Sequence, residues 1–135
     1  MRPTGVVIDT SVWIEFLRGT DAGRSAEVAR LVRGGRAVLC GVVEAELLAG
    51  VRSDAEREVL ADALSGPEYA EVDRSTWRRA GELAAVLRRH GKTVPMSDLI
   101  LAAVALAGDF AVFSIDNHFR LIPGLRLHRP AASGA

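Results

Sequence analysis

The stretch that decides the fold is Val6-Val7-Ile8-Asp9-Thr10-Ser11-Val12-Trp13, near the beginning of the chain. Three β-branched residues in succession are typical of a strand that is buried on both faces. Thr10 or Ser11 can cap a helix that starts directly after the strand, and Gly19 ends that helix. A buried strand that leads at once into a helix is the basic unit of an α/β protein.

The rest of the chain repeats this alternation. Four further strands are predicted, at residues 37–40, 69–72, 111–114 and 125–128. Apolar residues at helical spacing lie between most of them, and the most apolar helix is predicted over 98–106 with Ser97 as its cap. Parallel strands need such crossover helices, so we predict an α/β domain whose mainly parallel sheet is covered on both faces.

Composition limits the class of protein further. The chain has 135 residues, 49% hydrophobic and 25% charged, and this predicts one folded domain over residues 1–129 with a short flexible tail at 130–135. Lys plus Arg and Asp plus Glu each number 17, which excludes a strongly basic nucleic-acid coat but allows a local basic face. The single cysteine, Cys40, excludes an internal disulfide and a Cys-based zinc site.

The sequence predicts neither a targeting segment nor a membrane-spanning segment. The N-terminal residues lack a signal-like apolar run, and the longest uninterrupted apolar stretch, residues 99–107, is far shorter than the roughly 20 residues of a membrane span. We therefore expect a cytoplasmic protein with no membrane partner.

Four carboxylates are predicted to meet at one edge of the sheet. Asp9 follows the first strand, and Asp116 follows the strand at 111–114. Glu46 lies in the first turns of the helix after the second strand, and Asp98 opens the most apolar helix. In parallel sheets, ligand sites lie outside the carboxyl ends of the strands. Each acid also has an ordinary explanation, as a helix cap, a turn residue or a solvated side chain.

Clustered carboxylates point to a divalent cation. Adjacent acids repel one another, and one takes up a proton unless a cation lies between them. Oxygen ligands without His or Cys favour Mg²⁺ or Mn²⁺ over zinc. Such ions bind phosphate oxygens and lower the pKa of a bound water, so phosphodiester hydrolysis is the natural chemistry of such a site.

Four segments, in order along the chain, resemble motifs of the PIN-domain family, specifically of VapC-type toxins from bacterial toxin–antitoxin pairs. The first, residues 7–14, resembles the strand and Asp-Thr/Ser-Ser turn of the family. The second, Glu46-Leu47-Leu48-Ala49-Gly50, resembles its Glu-Leu-x-x-Gly helix. The third, residues 98–103, resembles its Asp-x-x-Ile-Ala-Ala helix, with Leu101 where Ile is commoner. The fourth, residues 114–119, resembles its Thr/Ser-x-Asp-x-x-Phe turn.

The resemblance implies a PIN-like three-layer α/β/α domain and an Mg²⁺- or Mn²⁺-dependent endoribonuclease. The residues that it implies as both catalytic and metal-binding are Asp9, Glu46, Asp98 and Asp116. Ser114 would fix a carboxylate or a water, and Lys92 would contact RNA. Glu46 is preferred to Glu44, because two residues along a helix place a side chain on nearly the opposite side. In the expected reaction, water attacks phosphorus in line and the 3′-oxygen leaves.

The resemblance also implies partners. They are an RNA substrate, a cognate VapB-like antitoxin and a second copy of the chain in a homodimer. Trp13, Phe16 and Leu17 either pack in the core or form part of a hydrophobic groove for an amphipathic segment of the antitoxin. Trp77 is expected in the core or at the dimer interface, and His118 in a surface or packing role.

Three other functions are compatible with acids at strand ends, and two of them fit this sequence poorly. A phosphoacceptor receiver domain needs adjacent acids in the first loop and a Lys after a late strand, and the only Lys here is Lys92. A haloacid-dehalogenase-like phosphatase needs a second Asp where this chain has Ser11. A catalytically inactive PIN-like module that binds RNA or protein is the remaining alternative, and it has no need for four converging acids.

Overall fold

A computed structural model describes residues 4–130, and strands and helices alternate along them. The strands are β1 (Val6–Ile8), β2 (Ala37–Cys40), β3 (Glu68–Ala70) and β4 (Ala111–Phe113). The helices are α1 (Thr10–Arg18), α2 (Ala22–Arg33), α3 (Gly41–Ala49), α4 (Asp54–Leu64), α5 (Arg74–Arg89) and α6 (Met96–Gly108). A 3₁₀ helix spans Asn117–Leu121.

The four strands form one all-parallel sheet in the order β3-β2-β1-β4. Val6 of the central strand pairs with Ala37 of β2 and with Ala111 of β4. Every residue of β1, β2 and β4 is buried. Successive side chains of a strand point to opposite faces, so helices cover both faces of these three strands. The predicted α/β fold with a parallel sheet is confirmed.

Helix α6 supplies much of the core. Seven consecutive residues, 99–105, are buried, and their apolar side chains surround the helix on all sides. The helix packs along α5 and against β1 and β4. Asp98 lies in its first turn, so the buried helix fixes the position of this carboxylate.

Three local predictions were wrong. Asp9, not Thr10 or Ser11, caps α1, because its carboxylate accepts a hydrogen bond from the Thr10 N–H at 2.8 Å. Helix α6 begins at Met96 after Pro95, so Ser97 lies inside it; the Pro95 ring sets a φ suited to a helix start.

The third wrong prediction is the last strand, at 125–128, which is reduced to one parallel bridge between Val112 and Leu127. The Arg126 carbonyl accepts from the Val112 N–H at 2.9 Å, and the His128 N–H donates to the Val112 carbonyl at 2.7 Å. Pro123-Gly124 before this segment and Pro130 after it limit how far it can pair with the sheet.

A buried ion-pair network also anchors this C-terminal segment. Glu27 on α2 is only 5% exposed, and its carboxylate bonds to Arg30 at 2.7 and 2.8 Å and to His128 Nε2 at 2.6 Å. Burial acts to raise the pKa of Glu27, but the hydrogen bonds from His128 and Arg30 outweigh it, so the pKa lies below its ordinary value.

The lowered pKa of Glu27 predicts a pH-dependent contribution to stability. A depressed carboxyl pKa stabilises the fold above the pKa of the unfolded chain, and this contribution is lost as the pH falls through the folded pKa. We expect Glu27→Gln to lower the free energy of unfolding by about 1–2 kcal/mol at neutral pH and by less in acid. Urea titrations from about pH 3 to about pH 7 measure the difference. Glu58→Gln, on the exposed surface of α4, is the control, and a pH-independent difference for Glu27→Gln would contradict the account.

Two further sequence predictions concern membrane-spanning segments and the C-terminal tail. None of the helices within residues 4–130 is long and apolar enough to cross a membrane. Of the predicted tail, Pro130 is exposed, and residues 131–135 lie outside the described residues.

Candidate active site

Asp9 stands where β1 turns into α1 and is 6% exposed. Its Oδ1 accepts from the Thr10 N–H, which completes the helix cap. Its Oδ2 accepts from Ser11 Oγ at 3.0 Å and from Ser114 Oγ at 2.7 Å. Asp9 is therefore both a helix cap and a buried carboxylate of the site, so the two explanations from the sequence are compatible.

Ser114 connects the ends of β1 and β4. Its hydroxyl donates to Asp9 and accepts from the Asp116 N–H at 2.9 Å. The Asp9 N–H in turn donates to the Phe113 carbonyl at 2.9 Å. These bonds fix two of the predicted acids relative to one another through the Ser114 hydroxyl.

Asp98, Asp116 and His118 form the tightest group of side chains at this edge. Each offers a ligand atom within 4.8 Å of the other two. His118 Nδ1 lies 3.0 Å from Asp98 Oδ2 and 3.0 Å from Asp116 Oδ1. The His118 N–H also donates to Asp116 Oδ1 at 3.1 Å. His118 is 41% exposed at the surface, and its ring also lies between two carboxylates, a contact that the sequence did not predict.

The surroundings of Asp98 disfavour the ionised form of its carboxyl group. Burial is the largest cause that raises the pKa of the Asp98 carboxyl. The hydrogen bond with His118 opposes this, while the charges of Asp9 and Asp116 raise the pKa further. The pKa of His118 is raised, chiefly by its bond to Asp98. The site thus favours a positive charge among its carboxylates.

Glu46 lies at the margin of this group. Its Oε1 accepts from Thr10 Oγ1 at 2.7 Å, so Thr10 links it to the Asp9 turn. Burial raises the pKa of Cys40, and the charges of Asp9 and Glu46 add to the effect. The charge of Glu44 instead acts on Tyr69 of β3, where it adds to the burial that raises the phenol pKa. The structure therefore places Glu46, and not Glu44, on the side of Asp9.

Asp98 and Lys92 lie at and near the connection between α5 and α6. Asp98 follows no strand, since α5 and α6 are joined by residues 90–95 alone, and it reaches the sheet edge through the buried course of α6. Lys92 is exposed in this connection, and within residues 4–130 its side chain has no hydrogen-bond or ion-pair partner. Lys92 therefore does not belong to the carboxylate group.

Two cavities flank the acids. The larger, about 480 Å³, lies between α1, α3 and α4 and is lined largely by apolar side chains; we call it the apolar groove. Its lining includes Ile14, Leu17, Glu46, Leu47, Val51 and Val59. The sequence assigns Trp13, Phe16 and Leu17 either to the core or to such a groove. Trp13 is buried in the core and packs edge-to-face on Phe16, while Leu17 lines the groove. The second cavity, about 290 Å³, lies beyond β4, and three arginines are among the residues that line it.

Comparison with known proteins shows the family to which this chain belongs. Residues 6–125 match the PIN domain, a range that contains all four predicted acids. Ribonuclease VapC11 of Mycobacterium tuberculosis is 30% identical over 121 residues, which cover 87% of this chain and 90% of that protein. Ribonuclease VapC19 of the same species is 30% identical over 122 residues, 89% of this chain and 96% of that protein.

Solved structures share the fold. VapBC from Salmonella typhimurium bound to DNA aligns with a TM-score of 0.81 and 21% identity over 93% of this chain and 98% of that chain. VapBC-5 from Mycobacterium tuberculosis aligns with a TM-score of 0.67 and 27% identity over 93% of this chain and 100% of that chain. The chain belongs to the PIN-domain family and, within it, to the VapC ribonucleases.

Proposed function

We propose that this chain is the toxin of a VapBC-like type II toxin–antitoxin pair and that it hydrolyses RNA at its carboxylate cluster with the help of Mg²⁺ or Mn²⁺. The observation that carries the proposal is the meeting of Asp9, Asp98 and Asp116, from three separate segments of the chain, around one polar edge of the sheet. An inactive binding module gains nothing from this arrangement, since clustered carboxylates repel one another.

The donor set fits a hard divalent cation. Asp98 and Asp116 present oxygens within reach of a single ion, and burial, with the charges of Asp9 and Asp116, raises the pKa of Asp98. Asp9, at the C-terminal end of β1, would complete the set of ligands. Glu46, at the margin of the carboxylate group, would assist them. Such an ion supplies Lewis-acid activation of a water and stabilises charge on phosphate oxygens.

The residues of the chain divide the remaining tasks. Ser114 orients the Asp9 carboxylate and the Asp116 backbone with one hydroxyl. Thr10 donates a hydrogen bond to Glu46, and we assign Glu46 the task of positioning the attacking water. His118 Nδ1 lies 3.0 Å from an oxygen of Asp98 and from one of Asp116, and this contact restrains both carboxylates. In-line attack of water with departure of the 3′-oxygen leaves a 5′-phosphate on the product.

A cleavage assay on total bacterial RNA tests this function. RNA is incubated with the protein and Mg²⁺ or Mn²⁺, with an EDTA-treated sample as control, and new 5′ ends are read by sequencing. We expect discrete, metal-dependent cuts that carry a 5′-phosphate. A 2′,3′-cyclic phosphate would contradict the proposed hydrolysis, and cuts that persist in EDTA would contradict the role of the metal.

Replacement of Ser114 tests the orientation of the acids. Ser114→Ala removes the hydroxyl that holds both Asp9 and Asp116 but leaves every carboxylate in place. Outer partners of metal ligands are typically worth about 10–100-fold in activity or metal affinity. We expect such a loss in cleavage rate and in Mn²⁺ affinity, with the thermal unfolding midpoint nearly unchanged. Ser65→Ala, at the exposed end of α4, is the matched control. Wild-type activity in Ser114→Ala would refute the role of the hydroxyl.

The apolar groove is the proposed seat of an amphipathic antitoxin segment. Val59 on α4 lines the groove and is 59% exposed, which is unfavourable unless a partner covers it. Glu46 also lines the groove, so a bound segment would lie against the site.

We extend the proposal to a homodimer. Trp77 on α5 is 52% exposed and hence outside the core, and we place it at the dimer interface. Lys92 remains a proposed RNA contact.

A charge placed in the groove should weaken antitoxin binding. Val59→Asp would bury an unpaired carboxylate in the complex, and we expect at least about tenfold weaker binding with RNA cleavage retained. The partner used is the product of the short reading frame that we expect beside the gene, and isothermal titration calorimetry measures the affinity. Val86→Asp on α5, also partly exposed, is the control. Equal affinities of both variants for this partner would exclude the groove as its seat.

A further inference from the structure

The cavity beyond β4, which we call the arginine cavity, adjoins the carboxylate cluster. It has a volume of about 290 Å³ and shares Ser114 and Asp116 with the cluster. Three arginines line it, Arg24, Arg120 and Arg129. Three arginines and one carboxylate, Asp116, line the cavity, so its lining carries net positive charge beside the acids.

Two of these arginines carry uncompensated charge. Arg24 is bound to Glu15 at 2.8 and 2.7 Å and to Asp21 at 3.0 Å, so its charge is balanced. Arg120 and Arg129 are exposed, and within residues 4–130 neither side chain has an ion-pair or hydrogen-bond partner. Asp116 faces the same cavity, but its carboxylate is engaged by His118.

The walls that carry these two arginines are held in place. Arg120 lies in the 3₁₀ helix that follows Asp116, and this helix is anchored by buried Phe119. Arg129 directly follows His128, which bonds to buried Glu27 at 2.6 Å. The backbone on either side of the cavity is therefore ordered before a ligand arrives, which reduces the entropic cost of binding.

We propose that the arginine cavity binds a phosphate group of the RNA substrate next to the one that is cleaved. The inference rests on the proposed ribonuclease function. A volume of about 290 Å³ is at the small end of ligand pockets, and it suits a nucleotide-sized group. Guanidinium groups bind phosphate oxygens through paired hydrogen bonds. A single strand that passes the carboxylate cluster would thus place its next phosphate between Arg120 and Arg129.

The position of the cavity favours RNA over a carboxylate of a protein partner. The arginine cavity and the apolar groove share no lining residue, and they flank the acids separately. Apolar side chains of the cavity, among them Val112 and Leu127, offer a surface for a ribose or a base beside the phosphate. An acidic segment of a partner protein would gain nothing from Ser114 and Asp116, the two residues that the cavity shares with the carboxylate cluster.

RNA binding at varied salt tests the proposal. The probe is a fluorescein-labelled single-stranded RNA of mixed sequence, about 15 nucleotides long. All proteins carry Asp98→Asn and are kept in EDTA, which prevents cleavage. Arg120→Gln and Arg129→Gln are compared with Arg33→Gln, an exposed arginine at the far end of α2 without an ion-pair partner in the described residues. Fluorescence anisotropy gives Kd at several salt concentrations.

We expect each cavity variant to weaken binding by about 3–10-fold and to reduce the slope of log K against log salt by about 0.7, the contribution of one phosphate on a single strand. Arg33→Gln should match the parent. In the background with intact Asp98, the cavity variants should raise KM for cleavage more than they lower kcat.

Parental Kd and slope in both cavity variants would overturn the inference, and so would an effect limited to the affinity for the antitoxin. Failure of the proposed function is seen separately, as absence of metal-dependent cleavage by the protein with all arginines and Asp98 intact. Cleavage without any effect of Arg120→Gln or Arg129→Gln would leave the ribonuclease standing and remove only the phosphate site.

Discussion

Replacement of Asp98 by asparagine should lower the rate of RNA cleavage by about a thousandfold, which corresponds to about 4 kcal/mol of transition-state stabilisation. The carboxylate is held in the first turn of the buried helix α6, and one of its oxygens lies 3.0 Å from His118 Nδ1. Asparagine keeps the shape but removes the negative charge, so the fold should persist while the affinity for a divalent ion falls. Initial rates of cleavage with Mn²⁺, and Mn²⁺ affinity by calorimetry, measure the two effects.

Asp109→Asn is the matched control for this experiment. Asp109 lies at the other end of the same helix, where it adopts a left-handed conformation (φ 56°) that asparagine tolerates well. Its carboxylate makes only an exposed ion pair with Arg126, at 2.9 Å. We expect wild-type cleavage from this variant. If Asp98→Asn keeps more than about a tenth of the activity, Asp98 is not a direct metal ligand.

Truncation of Leu101 should produce the second large effect, a loss of about 3 kcal/mol in the free energy of unfolding. Leu101 is 1% exposed in the middle of the run of buried residues in α6. Leu101→Ala therefore removes buried methyl groups and leaves a cavity among tightly packed neighbours. Urea denaturation followed by circular dichroism gives the difference, with an unchanged m-value as a sign that both proteins unfold in the same way.

A second leucine provides the comparison. Leu48 on α3 is 44% exposed, so Leu48→Ala should cost less than about 1 kcal/mol. A similar loss in both variants would show that burial in α6 does not determine stability. Because α6 carries Asp98, we also expect Leu101→Ala to weaken Mn²⁺ binding modestly, through looser positioning of the carboxylate.

The sequence was sufficient for the parts of the fold that depend on local pattern. The Val-Val-Ile run of β1 and the run of apolar residues in α6 have no stable place outside a core, so their burial was predictable. The edge at which the acids meet was predictable too, since parallel strands present their carboxyl ends together. Asp9 and Asp116 follow directly from that rule.

The remaining features depend on contacts between distant segments. His118 is two residues from Asp116, but its bond to Asp98 depends on the packing of α6 against the 3₁₀ helix, which no local pattern encodes. The bridge that replaces the predicted last strand depends on where Pro123-Gly124 turns the chain. The arginine cavity joins α2, the 3₁₀ helix and the C-terminal segment, so its cationic lining is visible only in three dimensions.

Diffraction from crystals of the protein grown with Mn²⁺ tests most directly the claim that these carboxylates form one metal centre. Anomalous difference maps locate Mn²⁺ independently of the refined atoms. We predict a strong peak in contact with carboxylate oxygens of Asp98 and Asp116, with Asp9 beside it, and its absence in Asp98→Asn. A peak only elsewhere on the molecule, at Mn²⁺ concentrations that saturate RNA cleavage, would contradict the account.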